Sequence, residues 1–225
     1  MASKVMLITG ASSGIGRATA RRAVEEGIRV VVTARNKEAL ASLVEELGAD
    51  NAVPVPADIT RFDQLEKVVD NAIARFGRLD VVFANAGTGI SQPGTEAGDP
   101  EEWQQVIDVN IRALLWTAKL TLPHLRKTRG HFLMTGSQAG RTALKGSIYG
   151  ASKWFVHGFG ANLAEEMAEW DGRCTVIAPG MVNTAFFDEP KPDKLAPEDV
   201  ADAVLFAVSA HSRNTIREIF LTPTY

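Results

Sequence analysis

Short apolar runs rich in β-branched residues recur along the chain, near residues 4–9, 28–33, 52–56, 79–84, 130–136, 173–178 and 216–222. Longer amphipathic stretches fill the gaps, near 14–26, 36–47, 61–76, 100–127, 149–169 and 197–210. Apolar runs bounded by turn residues read as buried strands, and the longer stretches read as helices. Strand and helix in alternation predict repeated βαβ units, whose right-handed crossovers place helices on both faces of one sheet. The expected fold is α/β: a doubly wound, seven-stranded, mostly parallel sheet. Gly27, Gly48 and Gly77 stand just past three of the expected helices, where a left-handed cap is favoured. At 225 residues, 45% of them hydrophobic, the chain can bury one good-sized core, and a single domain over 1–225 is expected. The one linker-like stretch, Asp188 to Lys194, falls between a strand and a helix and reads as a loop or lid.

The charge balance narrows the partners. With 24 basic against 27 acidic residues and a net charge of -3, no broad basic field is available to neutralise nucleic-acid phosphates. Cys174 is the single cysteine, so no internal disulfide can form, which fits a reducing compartment. The histidines, His124, His131, His157 and His211, form no ligand-like cluster, so no metal site is expected and each reads as a surface or satisfied residue. The first strand begins within a few residues of Met1 and leaves no room for a leader, and no apolar run approaches the roughly 20 residues of a membrane span. A soluble cytoplasmic protein with no membrane partner is the expectation.

In an open parallel sheet, ligands bind beyond the carboxyl ends of the strands. Those ends are well stocked here. The first strand runs straight into Thr9-Gly10-Ala11-Ser12-Ser13-Gly14-Ile15-Gly16 and then into a helix. Strand, glycine-rich turn and helix in that order cradle phosphate: glycines let the backbone approach, the N–H groups of the helix start point at the anion, and Ser12 and Ser13 add hydroxyl donors. The second strand ends in Thr33-Ala34-Arg35-Asn36, the third in Ala57-Asp58-Ile59-Thr60, the fourth in Asn85-Ala86-Gly87, the fifth in Gly136-Ser137 and the sixth in Pro179-Gly180.

Ser137 is followed twelve residues later by Tyr149-Gly150-Ala151-Ser152-Lys153. Side chains at i and i+4 share a helix face, so Lys153 is expected beside the Tyr149 hydroxyl, stabilising the phenolate and lowering its pKa from about 10. A tyrosine tuned in this way trades protons near neutral pH.

Taken in order, Thr9 to Gly16, Asp58, Asn85-Ala86-Gly87, Asn110, Ser137, Tyr149 with Lys153, and Pro179-Gly180 with Val182 and Thr184 make the chain resemble the short-chain dehydrogenase/reductase family, nearly end to end. The resemblance implies a Rossmann-like sheet, a nicotinamide dinucleotide and reversible interconversion of a carbonyl and an alcohol on a small molecule. It implies Tyr149 as the acid that protonates the carbonyl oxygen, and Lys153 as the group that depresses its pKa and binds the nicotinamide ribose. Ser137 then hydrogen-bonds the substrate oxygen, and Asn110 supports a proton-relaying water near Lys153. Gly10, Ser12, Ser13, Gly14, Ile15 and Gly16 fall on the phosphates, Asp58 and Ile59 beside the adenine, Asn85, Ala86 and Gly87 along the cofactor, and Pro179, Gly180, Val182 and Thr184 at the carboxamide.

About twenty residues past the glycine turn, where an NAD enzyme offers an acid to the ribose hydroxyls, stand Ala34 and Arg35. A guanidinium grips a 2'-phosphate that a carboxylate repels, which favours NADP(H), with Asn36 sharing the phosphate. The plainer alternatives are a solvated Arg35 pairing with Glu38, and Asp58 as the cap of the next helix in competition with Thr60. Substrate specificity in such a family lies in the loops Thr88–Pro93, Gln138–Ser147 and Ala185–Leu195, with Gln138, Leu144, Phe186 and Phe187 expected to line the pocket. Helix 149–169 carries Trp154, Phe155, Phe159 and Leu163 beside its Tyr149 edge, so it is apolar on more than one face and is buried by the core or by a partner subunit; the resemblance implies pairing of this helix and the preceding long one across a two-fold axis, in a homodimer or homotetramer. Two rival functions are an NAD-linked alcohol dehydrogenase and a dinucleotide-binding sensor without turnover. A sensor has no need for Asn110, Ser137, Tyr149 and Lys153 together.

Overall fold

The computed structural model describes residues 3–224. Strands β1 (Val5–Thr9), β2 (Arg29–Thr33), β3 (Ala52–Pro54), β4 (Val81–Ala84), β5 (His131–Thr135), β6 (Arg173–Pro179) and β7 (Glu218–Leu221) form one sheet in the order β3-β2-β1-β4-β5-β6-β7. Every pairing between these strands is parallel. Helices α1 (Gly14–Glu25), α2 (Lys37–Leu47), α3 (Phe62–Phe76), α4 (Pro100–Val106), α5 (Ala113–Thr128), α6 (Ile148–Ala168) and α7 (Pro197–Ser209) provide the crossovers. The chain first builds outward from β1 to β3, then returns and builds the other way from β4. The gap between β1 and β4 is therefore the switch point, where an open α/β sheet offers a crevice.

Side chains alternate across a strand, and both faces of this sheet are covered. In β1, Val5 and Leu7 join a cluster with residues of α3, α5 and α6, while Met6 and Ile8 join the cluster of α1, α2 and α7. All four are fully buried, and each contributes about 1.5–3 kcal/mol on burial. This explains why the strands read as unbroken apolar runs. Edge strand β3 stops at Pro54, short of the expected residue 56, although the Val55 and Ala57 N–H groups still donate to the Val32 (2.9 Å) and Ala34 (3.0 Å) carbonyls; Pro54 and Pro56 take the alternate positions, which face the open edge and need no donor.

The stretch expected as one helix over 100–127 is divided. Between α4 and α5 the backbone takes a π-helical turn over Ile107–Arg112 that carries the buried Asn110. The wider turn turns this amide inward, and the hydrogen bonds it makes there, described below, offset the poorer helical geometry. Asp58 does not cap α3. Its Oδ1 accepts the N–H (3.0 Å) and hydroxyl (2.7 Å) of Thr60 instead, and Arg61 occupies the cap position.

The amino edge of the sheet is polar but closed. Asp80 Oδ2 accepts the Val5 N–H at 2.9 Å, and its carboxylate pairs with Arg78 at 2.6 Å. His131 is buried with Nε2 2.7 Å from the Thr175 hydroxyl. That hydroxyl spends its proton on the Ile216 carbonyl at 2.5 Å, so Nε2 donates and Nδ1 is left a buried acceptor with no partner. Burial pushes the His131 pKa down to about 3. The unfolded imidazole titrates near 6.5, so between these values the unfolded chain binds more protons and stability is lost as the pH is lowered. His131→Gln is expected to flatten the loss of stability between pH 6.5 and about 3, measured by urea unfolding across that range. An equally steep profile in the variant would place the acid sensitivity elsewhere.

Candidate active site

At the switch point the carboxyl ends of β1, β4 and β5 are tied by side chains. Thr9 Oγ1 accepts the N–H groups of Asn85 and Ala86, each at 3.1 Å, and Asn85 Nδ2 donates to the carbonyls of Thr9 (3.1 Å) and Gly10 (3.3 Å). Asn85 Oδ1 accepts the Thr135 hydroxyl at 3.2 Å. The turn from β1 into α1 is left-handed at Gly10 (φ 66°) and Gly14 (φ 51°), and a Cβ on Gly16 would sit 2.4 Å from the Gly10 carbonyl oxygen. Helix α1 thus starts hard against β1. Its cap residue, exposed Ser13, makes no side-chain cap, and no acid stands in its first turn. Ser12 lies beside it in the turn, and Ile15 packs at the edge of the core under α1 and α7.

Helix α6 carries Tyr149 and Lys153 on one edge. Its start is capped by Ser147, whose hydroxyl accepts the Gly150 N–H at 3.0 Å. Lys153 is 5% exposed and donates from Nζ to the Thr135 carbonyl at 2.8 Å. The same ammonium lies 5.7 Å from the Tyr149 ring centre. Ser137 leaves the end of β5 in extended backbone, its Oγ accepts the Ala139 N–H at 3.1 Å, and its side chain neighbours the Tyr149 phenol.

The expected lowering of the Tyr149 pKa is not what this geometry gives. Burial raises it, and the Ser137 hydrogen bond opposes only part of the rise. The physical reason is the loss of water around the phenol itself, which disfavours the charged phenolate. Lys153 is desolvated too, with its pKa pushed down to about 8, and its ammonium donates to the Thr135 carbonyl. Tyr149 is therefore held as the neutral phenol.

Asn110 faces the same cleft from the π-turn. Its Oδ1 accepts the Thr88 N–H and its Nδ2 donates to the Thr88 carbonyl, both at 2.9 Å, and Nδ2 also donates to Ser152 Oγ at 3.0 Å. Ser152 in turn donates to the Tyr149 carbonyl at 2.7 Å. Both amide hydrogens of Asn110 are thus engaged. A Cβ on Gly87 would lie 3.5 Å from Asn110 Oδ1 and 3.6 Å from Lys153 Nζ, which brings Gly87 to the same place. Thr9, Ile59, Ala86, Asn110, Thr135 and Lys153 line the narrow end of the cleft.

Other expected residues divide. Arg35 is exposed at the end of β2 and forms no ion pair among the described residues, because Glu38 pairs with Lys37 at 3.7 Å. Asn36 is committed to capping α2, accepting the Ala39 N–H at 2.9 Å. Asp58 is tied to Thr60 as described. Pro179 ends β6, the Gly180 N–H donates to the Leu221 carbonyl at 2.8 Å, and Val182 bridges to Leu195. Thr184 reaches the glycine turn: its methyl group is 3.1 Å from where a Cβ on Gly14 would sit. Phe186 crosses to the other side, with its ring centre 5.5 Å from that of Tyr149 and its tip 2.8 Å from a Cβ placed on Gly89. Phe187 packs on Phe186 at 5.4 Å, while Leu144 stands 49% exposed. Ser152, Thr135 and Gly89 went unread in the sequence. Ser152 had a signal, its place beside Lys153, whereas the other two are joined to the site only by the fold.

Among the described residues no group of three or more His, Cys, Asp or Glu is placed to hold a metal, and no helix is long and apolar enough to cross a membrane.

The short chain dehydrogenase family profile matches residues 4–195. An uncharacterized oxidoreductase of Staphylococcus aureus (strain MRSA252) is 38% identical over 225 residues, with 98% of this chain and 97% of the relative covered. Among solved structures, an alcohol dehydrogenase from the archaeon Thermococcus sibiricus complexed with 5-hydroxy-NADP superposes with TM-score 0.92 at 28% identity, covering 99% of this chain and 97% of that one. A 3-ketoacyl-(acyl-carrier-protein) reductase from Brucella melitensis complexed with NADH gives TM-score 0.91 at 28% identity, covering 98% and 97%.

Asn110→Ala removes the bonds to both backbone groups of Thr88 and to Ser152. At roughly 1 kcal/mol for each, a stability loss of about 2–4 kcal/mol is expected in urea unfolding. A loss under about 0.5 kcal/mol would show that the π-turn is held by its flanking helices alone.

Proposed function

The chain belongs to the short-chain dehydrogenase family, and on that premise we propose that it is an NADP(H)-dependent oxidoreductase that reduces a ketone or aldehyde to an alcohol, reversibly. The observation that carries the reading is the meeting of Ser137, Tyr149 and the buried Lys153 ammonium at one edge of the cleft.

The residues at the carboxyl edge fit a dinucleotide. The start of α1 is uncapped and free of acids, and the Gly16 backbone admits no Cβ, so its N–H groups are available to a pyrophosphate. Thr33 Oγ1 is buried beside this turn without a partner. Gly10, Ser12, Ser13, Gly14, Ile15 and Gly16 would hold the phosphates, Asp58 and Ile59 would flank the adenine, Asn85, Ala86 and Gly87 would lie along the cofactor, Lys153 would meet the ribose, and Pro179, Gly180, Val182 and Thr184 would meet the carboxamide. When bound, the nicotinamide supplies or accepts the hydride. Arg35, exposed and in no ion pair among the described residues, is the group for a 2'-phosphate, and Asn36, whose Oδ1 caps α2, would share it through the Nδ2 donor. The two solved relatives named above hold an NADP analogue and NADH respectively, so the preference rests on Arg35.

In reduction, the Ser137 hydroxyl donates to the carbonyl oxygen and Tyr149 gives it a proton. The raised Tyr149 pKa keeps that proton in place until negative charge develops on the substrate. Lys153, an ammonium at neutral pH, then stabilises the phenolate left behind. Asn110 holds Thr88, and with it the floor of the cleft, through its two backbone bonds. Phe186 and Phe187 form an apolar wall beside the reacting oxygen. A single domain over 1–225 carries all these groups. A homodimer or homotetramer through α5 and α6 is supported by exposed Leu115 (39%) and Trp154 (53%).

A panel of ketones, aldehydes, keto acids and oxoacyl thioesters with NADPH, followed by nicotinamide absorbance, tests the activity. Tyr149→Phe is expected to lower reduction by about 10²–10⁴-fold with NADPH still bound, and near-normal turnover would mean that another acid donates the proton. Arg35→Ala is expected to weaken NADPH binding about 10- to 100-fold and to leave NADH binding unchanged, as judged by fluorescence titration. Equal affinities for NADPH in the two proteins would return the choice to NAD(H).

A further inference from the structure

Tyr149, Lys153 and His157 stand at i, i+4 and i+8 of α6, so the edge that carries the first two continues into the third. His157 was read from the sequence as a surface or satisfied residue, and its surroundings are more specific than that. Its Nε2 lies 3.2 Å from the Ser137 carbonyl oxygen and its Nδ1 lies 3.2 Å from Glu218 Oε1. The Ser137 carbonyl only accepts, so the ring serves it with the hydrogen on Nε2. Behind it, Arg141 Nε donates to the same Glu218 oxygen at 2.8 Å, and its guanidinium lies over the Phe220 ring at 4.8 Å. The imidazole is seated between two glycines. A Cβ on Gly136 would come within 2.9 Å of Nε2, and one on Gly140 within 2.6 Å of Cδ2.

We propose that His157, backed by Glu218 and Arg141, is a positioning residue that aims the Ser137 hydroxyl by holding the Ser137 carbonyl. Ser137 is then fixed to α6 at both ends: its hydroxyl meets Tyr149 and its carbonyl meets His157 two turns later. The carbonyl also accepts the Gly140 N–H at 2.9 Å, so His157 supplies the second of two donors that set the plane of this peptide. Rotation of that plane swings Oγ away from the reacting oxygen. A displacement of about 1 Å in such a group costs up to roughly 10²-fold in rate. The assignment rests on the reading of Ser137 as the group that holds the substrate oxygen.

The test compares His157→Leu, which has no donor, with His157→Gln, whose amide N–H reaches the same carbonyl. With the best carbonyl of the panel, His157→Leu is expected to lower kcat about 10-fold while the KM for NADPH is unchanged, and His157→Gln to return kcat to within about 3-fold of wild type. In ring ¹H–¹⁵N spectra of the wild type, Nε2 is expected to carry hydrogen. The Ser137 ¹³C carbonyl shift is expected to move in His157→Leu and to hold in His157→Gln, a readout that does not depend on turnover. An unchanged kcat in His157→Leu, no rescue by Gln, an unprotonated Nε2 or a Ser137 shift that moves equally in both variants would each overturn the assignment. A wild type that reduces no carbonyl would instead overturn the reductase reading, and the positioning role with it.

Discussion

The site depends first on how close β1 and β4 come at their carboxyl ends. A parallel sheet that reverses its strand order must open a crevice there, and backbone groups in that crevice lose their ladder partners. Thr9 and Asn85 answer that need: one hydroxyl takes two N–H groups, and one amide takes two carbonyls. The glycine turn can then lie flush on the pair, because Gly16 presents no side chain to the Gly10 carbonyl or to Asn85. With those contacts made, α1 is aimed along the crevice, Thr135 is drawn in through Asn85, and the Thr135 carbonyl is where Lys153 lands. One polar knot therefore sets the position of groups from four separate elements.

Burial, rather than charge pairing, sets the character of the chemical groups. Tyr149 and Lys153 are both driven toward their neutral forms by the loss of water around them. Spacing alone led to the opposite expectation for the phenol, since it treats the ammonium as near and the solvent as unchanged. In the folded chain the cation lies 5.7 Å from the ring centre, and it donates to a backbone carbonyl. A neutral donor beside a cation suits a reaction in which negative charge appears only as bonds change.

What could be read from the chain, and what could not, follows from the range of the forces involved. The strands were legible because a sheet buried on both faces demands apolar runs, and the glycine turn was legible because its function needs three glycines within seven residues, Gly10 to Gly16. Tyr149 and Lys153 were found because helix periodicity is local. The π-turn was not, since the amide that rewards it bonds to Thr88, 22 residues earlier in sequence. Asn36 and Asp58 were read as ligand residues, and each also spends one oxygen on a near neighbour, as short polar side chains do: Asn36 on the Ala39 N–H and Asp58 on the Thr60 N–H and hydroxyl. The contacts of Thr184 with the glycine turn and of Phe186 with Tyr149 join segments more than thirty residues apart, and no pattern within either segment announces them.

The loop that carries Thr184 and Phe186 is closed at its neck. The Asn183 N–H donates to the Leu195 carbonyl at 2.7 Å, and the Leu195 N–H donates to the Met181 carbonyl at 3.2 Å, so the intervening residues leave the sheet edge and return to it at one point. Compact loops with joined ends keep their own internal packing. The stretch between hangs from one point of the sheet edge, and from there Thr184 reaches the glycine turn and Phe186 the Tyr149 ring. On the proposed reading, the reacting groups stay with the fixed edge of α6, and what the loop presents to them can vary separately.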